Sequence, residues 1–141
     1  SGNVWVTADK GNAWLWDGNA WTHYPNPSGV TVWLNSIWGV GPSQIWASSN
    51  DGKLVRWNGT SWLSTPEFVR TPPGWLYRFW GLNSGDVWVA GEQGLILRKT
   101  AASSWGKALT GTTYSLYAVW GSSSTDVWAV GGGGAILRYQ P

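Results

Sequence analysis

The chain has 141 residues, enough for one domain with a buried core, and it contains neither Cys nor Met. Its 15 Trp and 20 Gly stand against 11% charged residues and a formal net charge of +2. The nine Lys and Arg are scattered along the chain, which argues against a nucleic-acid partner. The lack of Cys excludes disulfides and thiolate metal sites, and no apolar run approaches the ~18 residues of a membrane span.

A repeat organises the chain. A Val-Trp or Ile-Trp pair recurs at spacings of 41, 42 and 40 residues, and each pair is followed by a glycine turn and a second short apolar run. We name the four predicted strands of one repeat A to D; in the second copy they are Leu34–Trp38, Gln44–Ser48, Leu54–Trp57 and Trp62–Pro66. Four antiparallel strands in about 41 residues are typical of a propeller blade. Strand B is apolar on both faces, which predicts a sheet covered on each side by a neighbouring blade.

We therefore predict an all-β fold, a β-propeller arc of about four blades in one repeat domain, with units at about 1–30, 31–73, 74–114 and 115–141. The first unit has strands B to D and the last has strands A to C, which gives fourteen strands. An open arc would expose two Trp-rich faces, so we expect either a ring closed by oligomerisation, most simply a homodimer, or a fragment of a longer propeller.

The repeated tryptophans are predicted to lie in the core between blades, because they recur at equivalent positions. They are Trp5, Trp46, Trp88 and Trp128 in strand B and Trp38, Trp80 and Trp120 in strand A.

Residues that break the repeat are the better candidates for ligand contact. The D-to-A loops vary most, and they emerge at the same end of a propeller as the B-to-C turns. Aromatic faces beside short hydrogen-bonding side chains fit a sugar site, although solvated loops would contain the same residues. The candidate ligand-binding residues are Trp33, Trp75, Tyr114, Asn50, Asp51, Glu92 and Arg70.

The remaining polar residues predict structure rather than catalysis. Arginines recur at one strand C position, and we expect them to stack on indoles or to pair with the recurring Asp86 and Asp126. His23 is the single histidine and is expected at the surface, and no nucleophile, base and orienting group can be assembled. We therefore expect no enzyme activity, no cofactor and no metal site. The recurring arginines are Arg56, Arg98 and Arg138.

The repeat resembles known propeller families. The run from Leu116 to Arg138, with Trp120-Gly121 and Val127-Trp128, resembles tectonin-type repeats and the repeats of bacterial propellers that resemble photosystem assembly factors. Because tectonin-like proteins are often lectins, the resemblance implies a secreted or cell-surface glycan-binding module.

Two functions therefore compete. One is a multivalent, lectin-like propeller that binds glycans at several weak sites. The alternative is a protein–protein scaffold or a self-assembling propeller subunit, which would suit loops that differ from unit to unit.

Overall fold

The computed structural model describes residues 2–25, 33–69, 74–83 and 85–141, apart from the side chains of Ser64 and residues 66–69. Within these ranges the chain forms fourteen strands in four antiparallel sheets, and each sheet is one blade. Blade 1 contains β1 (Val4–Thr7), β2 (Ala13–Trp16) and β3 (Trp21–Tyr24), and blade 2 contains β4 (Leu34–Gly41), β5 (Gln44–Ser49), β6 (Lys53–Trp57) and β7 (Trp62–Val69). Blade 3 contains β8 (Leu76–Asn83), β9 (Asp86–Gly91), β10 (Ile96–Thr100) and β11 (Gly106–Ala108), and blade 4 contains β12 (Leu116–Ser123), β13 (Asp126–Gly131) and β14 (Ile136–Arg138).

Every strand in a blade pairs with the next strand along the chain, so each blade is a simple antiparallel meander. The fold is therefore a partial β-propeller with an open ring, and the predicted arc of four blades is confirmed. Strand A is longer than predicted in blade 2, because its pairing with strand B continues to Gly41↔Gln44, next to the tight turn. Short 3-10 turns at Asp9–Gly11 and Gly132–Gly134 connect strands B and C in the first and last blades.

Each interface between blades joins unlike faces. The strand B tryptophan of one blade packs against the Val- or Ile-bearing face of the next, as Trp46 does in a cluster with Val87 and Val89. Trp88 packs in the same way against Val127 and Ala129 of blade 4. Because blades 2 and 4 cover both faces of the blade 3 sheet, all six residues of β9 are buried.

The Trp-Gly pair that ends strand A also serves the interface. A Cβ atom on Gly81 would lie 2.6 Å from the Trp38 ring, and one on Gly121 would lie 2.7 Å from the Trp80 ring. Each indole therefore rests on the glycine of the following blade, where no side chain fits.

The two outermost blades each leave one face open. Blade 4 exposes Trp120 (61%) and Trp128 (38%), so the prediction that these two residues lie in the core is wrong for this chain. The reason is that the described residues provide no fifth blade to cover them. We call this surface the tail face; it comprises Trp120, Trp128, Val130, Ile136 and Arg138.

Blade 1 exposes the opposite kind of face, which bears valines rather than the strand B tryptophan. Val4 pairs with Trp16 and Val6 pairs with Trp14 across strands, while Trp5 points the other way, into the interface with blade 2. We call this surface the head face; it comprises Val4, Val6, Trp14, Trp16 and Trp21.

Candidate functional site

Backbone hydrogen bonds bring the end of each D-to-A loop onto the B-to-C turn of the same blade. Asn50 N donates to Trp33 O (3.1 Å) and Glu92 N donates to Trp75 O (3.0 Å). In blade 4, Gly132 N donates to Ser115 O over 2.8 Å. The two classes of loop therefore share one end of the arc, which is the arrangement that the sequence predicted.

Blades 3 and 4 together present a row of aromatic side chains at this end. Trp75 contacts Tyr77 at a centroid separation of 5.9 Å, and Tyr77 contacts Tyr117 at 5.3 Å. Trp75, Tyr114 and Tyr117 are 41%, 57% and 53% exposed, so the row faces solvent. We call Trp75, Tyr77, Tyr117 and Tyr114 the aromatic strip.

Glycines in the last B-to-C turn let the aromatic strip continue onto blade 4. Gly133 has a φ of +62°, and a Cβ atom there would lie 2.7 Å from the Tyr114 ring. A Cβ atom on Gly132 would lie 3.6 Å from the Tyr117 hydroxyl. The glycine run at 131–134 carries no functional signal in the sequence. Its lack of side chains nevertheless lets Tyr114 and Tyr117 pack over the same turn.

Glu92 organises the blade 3 end of the aromatic strip. Its carboxylate accepts hydrogen bonds from Trp75 N (3.1 Å) and from the Tyr77 hydroxyl (3.5 Å). Burial raises the pKa of Tyr77, and the nearby charge of Glu92 raises it further. Tyr77 therefore remains a neutral phenol whose hydroxyl donates a hydrogen bond to Glu92.

The blade 2 candidates form a separate group. Trp33 is 56% exposed, and Asn50 Oδ1 is buried without a hydrogen-bond donor among the described residues. Asp51 is already engaged by Lys53 Nζ at 2.6 Å and by the Ser49 hydroxyl. Burial opposes ionisation of Asp51, but these hydrogen bonds outweigh it and lower the pKa of its carboxyl, which marks Asp51 as a turn-stabilising residue.

The predicted candidates thus divide between two places. The structure brings Trp75, Tyr114 and Glu92 together, whereas Trp33, Asn50 and Asp51 lie in blade 2, and Arg70 lies outside the described residues. Sequence reasoning missed Tyr77 and Tyr117. The signal was present, since both follow the first leucine of strand A, where blade 2 has Asn35.

The remaining candidates for chemistry in the part of the chain that the structure describes are metal-ligating side chains and the single histidine, His23. No three His, Cys, Asp or Glu residues lie close enough there to hold a metal ion. His23 is exposed, stacks on Trp14 with centroids 4.7 Å apart, and hydrogen-bonds Asn12 Oδ1 at 2.9 Å. No helix among the described residues is long and apolar enough to cross a bilayer.

Comparison with solved structures finds similar propellers. A structure of YCF48 bound to D1 peptide superposes with a TM-score of 0.68 over 94% of this chain, at 16% sequence identity. YCF48 from Cyanidioschyzon merolae superposes with a TM-score of 0.65 over 99% of this chain, at 15% identity. The chain spans 45% and 51% of the length of these two proteins. No protein-family model and no curated protein matches the sequence.

These likenesses support the fold part of the sequence resemblance. YCF48 is a photosystem-assembly propeller, so the assembly-factor side of the resemblance is supported as a fold, and the tectonin side is not. At this identity the comparison shows the shared architecture alone.

Proposed function

We propose that this chain belongs to a protein-interaction module whose aromatic strip binds an extended segment of a partner polypeptide. The observation that carries the proposal is the contiguous contact of Trp75, Tyr77 and Tyr117 on a solvent-facing end of the arc. Tyr and Trp are enriched at the energetic centres of protein interfaces, because they bury much area with few rotatable bonds. The similar YCF48 propeller has been captured with a D1 peptide, which favours a peptide ligand.

The ligand contacts follow from the exposure of each ring. Trp75, Tyr117 and Tyr114 would supply contact area, while Glu92 holds the Trp75 backbone and the Tyr77 hydroxyl in position through two hydrogen bonds. A backbone and a phenol fixed in this way lose little conformational freedom on binding, so more of the contact energy contributes to affinity.

Selection of a displayed random linear peptide library against the chain tests this proposal. Selected peptides should bind Tyr117→Ala and Trp75→Ala about tenfold or more weakly than the parent chain. Trp33→Ala is the matched control, because it also removes an exposed indole, but from blade 2. The proposal fails if no peptide is enriched, or if the enriched peptides are indifferent to both changes in the aromatic strip.

Glycan binding is the second candidate, and a separate surface favours it. Trp33 offers an exposed indole, and the adjacent Asn50 carries a buried Oδ1 acceptor that has no donor among the described residues. Indole faces pack well on the C–H surfaces of sugars. A glycan array probed with the chain should show saturable binding that Trp33→Ala removes and Tyr117→Ala leaves unchanged, and an array without signal rejects this candidate.

We also propose that a second copy of the chain covers the two open faces. Between blades 1 and 2, 2 and 3, and 3 and 4, a Trp-bearing face covers a Val- or Ile-bearing face. The tail face bears the strand B tryptophan and the head face bears valines. The tail face of one copy therefore complements the head face of another. Two copies also match the length of the similar propellers, of which this chain spans about half.

The molar mass in solution tests this assembly. A homodimer should measure about 31 kDa, twice the chain mass of 15.4 kDa. A monomer at concentrations up to about 0.1 mM, well above the Kd of ordinary stable interfaces, would contradict it.

A further inference from the structure

A three-residue cluster recurs in blades 3 and 4 at the end opposite the aromatic strip. Asp86 Oδ1 accepts hydrogen bonds from Trp88 Nε1 and from Arg98 Nε, each at 3.0 Å. In blade 4, Asp126 Oδ1 accepts from Trp128 Nε1 and Arg138 Nε, again at 3.0 Å each. One carboxylate oxygen thus receives an indole N–H and a guanidinium N–H in both blades.

Blade 2 has the two donors and lacks the acceptor. Trp46 and Arg56 are paired across β5 and β6 in the register that pairs Trp88 with Arg98 and Trp128 with Arg138. The position of the aspartate is occupied by Gln44. The Arg56 guanidinium lies 5.7 Å from the Trp46 ring centroid, and among the described residues neither it nor Trp46 Nε1 has a hydrogen-bond or ion-pair partner.

The unfilled cluster opens into a groove between blades 2 and 3. This groove has a volume of about 490 Å³ and is walled by Trp46, Arg56, Leu63, Lys99 and the turn at 101–105. A smaller adjoining cavity of about 230 Å³ extends it to Gln44 and Gly85.

Lys99 gives this groove a second positive charge. In the other three blades the equivalent position carries an aromatic residue, which is Trp16, Trp57 or Tyr139. The Lys99 ammonium contacts the carbonyl oxygens of Thr100 and Ser103 at 3.3 Å, and no described carboxylate lines the groove. Two cations in a recess with no counter-ion among the described residues attract an anion.

We propose that this groove binds a carboxylate ligand in the place that Asp86 and Asp126 fill in the following blades. The ligand carboxylate would accept from Trp46 Nε1 and from the Arg56 guanidinium, with Lys99 contributing a further charge. A carboxylate is favoured over other anions because the same pair of donors holds a carboxylate in two neighbouring blades. The groove is distinct from the aromatic strip, so this site stands apart from the proposed peptide surface.

Titration of the chain with succinate, followed by the indole N–H signals in an ¹H–¹⁵N spectrum, tests the site. The Trp46 indole signal should shift and saturate, and Arg56→Gln or Lys99→Gln should weaken binding about tenfold. The matched control is Arg78→Gln, which removes an exposed arginine of blade 3 that does not line the groove.

Gln44→Asp provides a sharper version of the same test. It supplies the carboxylate from the chain itself, as in blades 3 and 4, and should abolish succinate binding while leaving the other indole signals in place. Unchanged succinate binding by Gln44→Asp, the absence of a saturable shift in the parent chain, or tighter binding of sulfate than of succinate would each overturn the proposal.

Discussion

The residue after the strand A tryptophan is glycine because an indole of the preceding blade packs against its backbone. At Gly81 an added Cβ would meet both the Trp38 ring at 2.6 Å and the carbonyl oxygen of Asp86 at 2.8 Å. The backbone carbonyl is fixed by strand pairing, so the indole would have to move. The Trp-Gly dipeptide is thus a packing device between blades.

Gly81→Ala should lower the free energy of unfolding by about 1 to 3 kcal/mol, the usual cost of overpacking a core. The matched control is Gly41→Ala, where an added Cβ meets nothing within 4 Å. That substitution should change stability by less than about 1 kcal/mol. Urea unfolding of the three proteins measures both effects, and equal stabilities would show that Trp38 does not depend on Gly81.

The C-to-D hairpins show how local chemistry sets an element. Asp17 Oδ1 accepts hydrogen bonds from Asn19 N at 2.7 Å and from Ala20 N at 2.8 Å. Asn58 Oδ1 makes the equivalent pair of hydrogen bonds in blade 2, and each turn continues through a glycine with φ above +100°. The same Asx turn is therefore built once with a carboxylate and once with an amide.

This pair predicts a pH effect. Hydrogen bonds from the backbone N–H groups of Ala20 and Asn19 lower the pKa of Asp17 below its ordinary value of 3.8. The stabilisation is therefore fully present above that value and is lost as the pH falls through the lower, folded-state pKa.

Asp17→Asn should keep the turn, because Asn58 forms the same turn in blade 2. It should also remove the loss of stability that protonation of Asp17 causes at low pH. Urea midpoints measured at neutral pH and near pH 3 should fall further for the parent chain than for Asp17→Asn. Parallel declines in the two proteins would contradict the assignment.

At the scale of the whole molecule, the open arc leaves apolar residues in solvent at both ends. Val4 is 50% exposed on the head face and Ile136 is 68% exposed on the tail face, whereas their equivalents in blade 2, Ile45 and Leu54, are buried. The difference arises only from the presence or absence of a neighbouring blade.

Val6→Glu on the head face and Ile136→Glu on the tail face should each dissociate the proposed homodimer, because each places a charge in a dry interface. Leu82→Glu is the control, since Leu82 is exposed and belongs to blade 3, which has no open face. An equimolar mixture of the two dissociated variants should recover dimers, as one native pairing of faces remains possible. Light scattering measures the two variants, the control and the mixture, and dimers that survive in both variants would contradict the head-to-tail arrangement.

The sequence by itself determined the repeat, the number of strands and their order within each blade. Alternating apolar residues, Asx-Gly turns and the Trp-Gly pair all occur within one repeat of about 41 residues, and each depends on short-range geometry. For the same reason, the pairing of Arg98 with Asp86 could be expected from positions recurring in two strands of one hairpin.

Only the tertiary structure decided what those residues meet in other blades. Equivalent tryptophans differ from 2% exposure at Trp88 to 38% at Trp128, because burial depends on a neighbouring blade rather than on the repeat. Tyr77 and Tyr117 form one surface although 40 residues separate them, and the donors on Trp46 and Arg56 have no partner among the described residues, since Gln44 stands where the other two blades have aspartate. Long-range packing between blades is a property of the assembled arc, so no local pattern could have specified it.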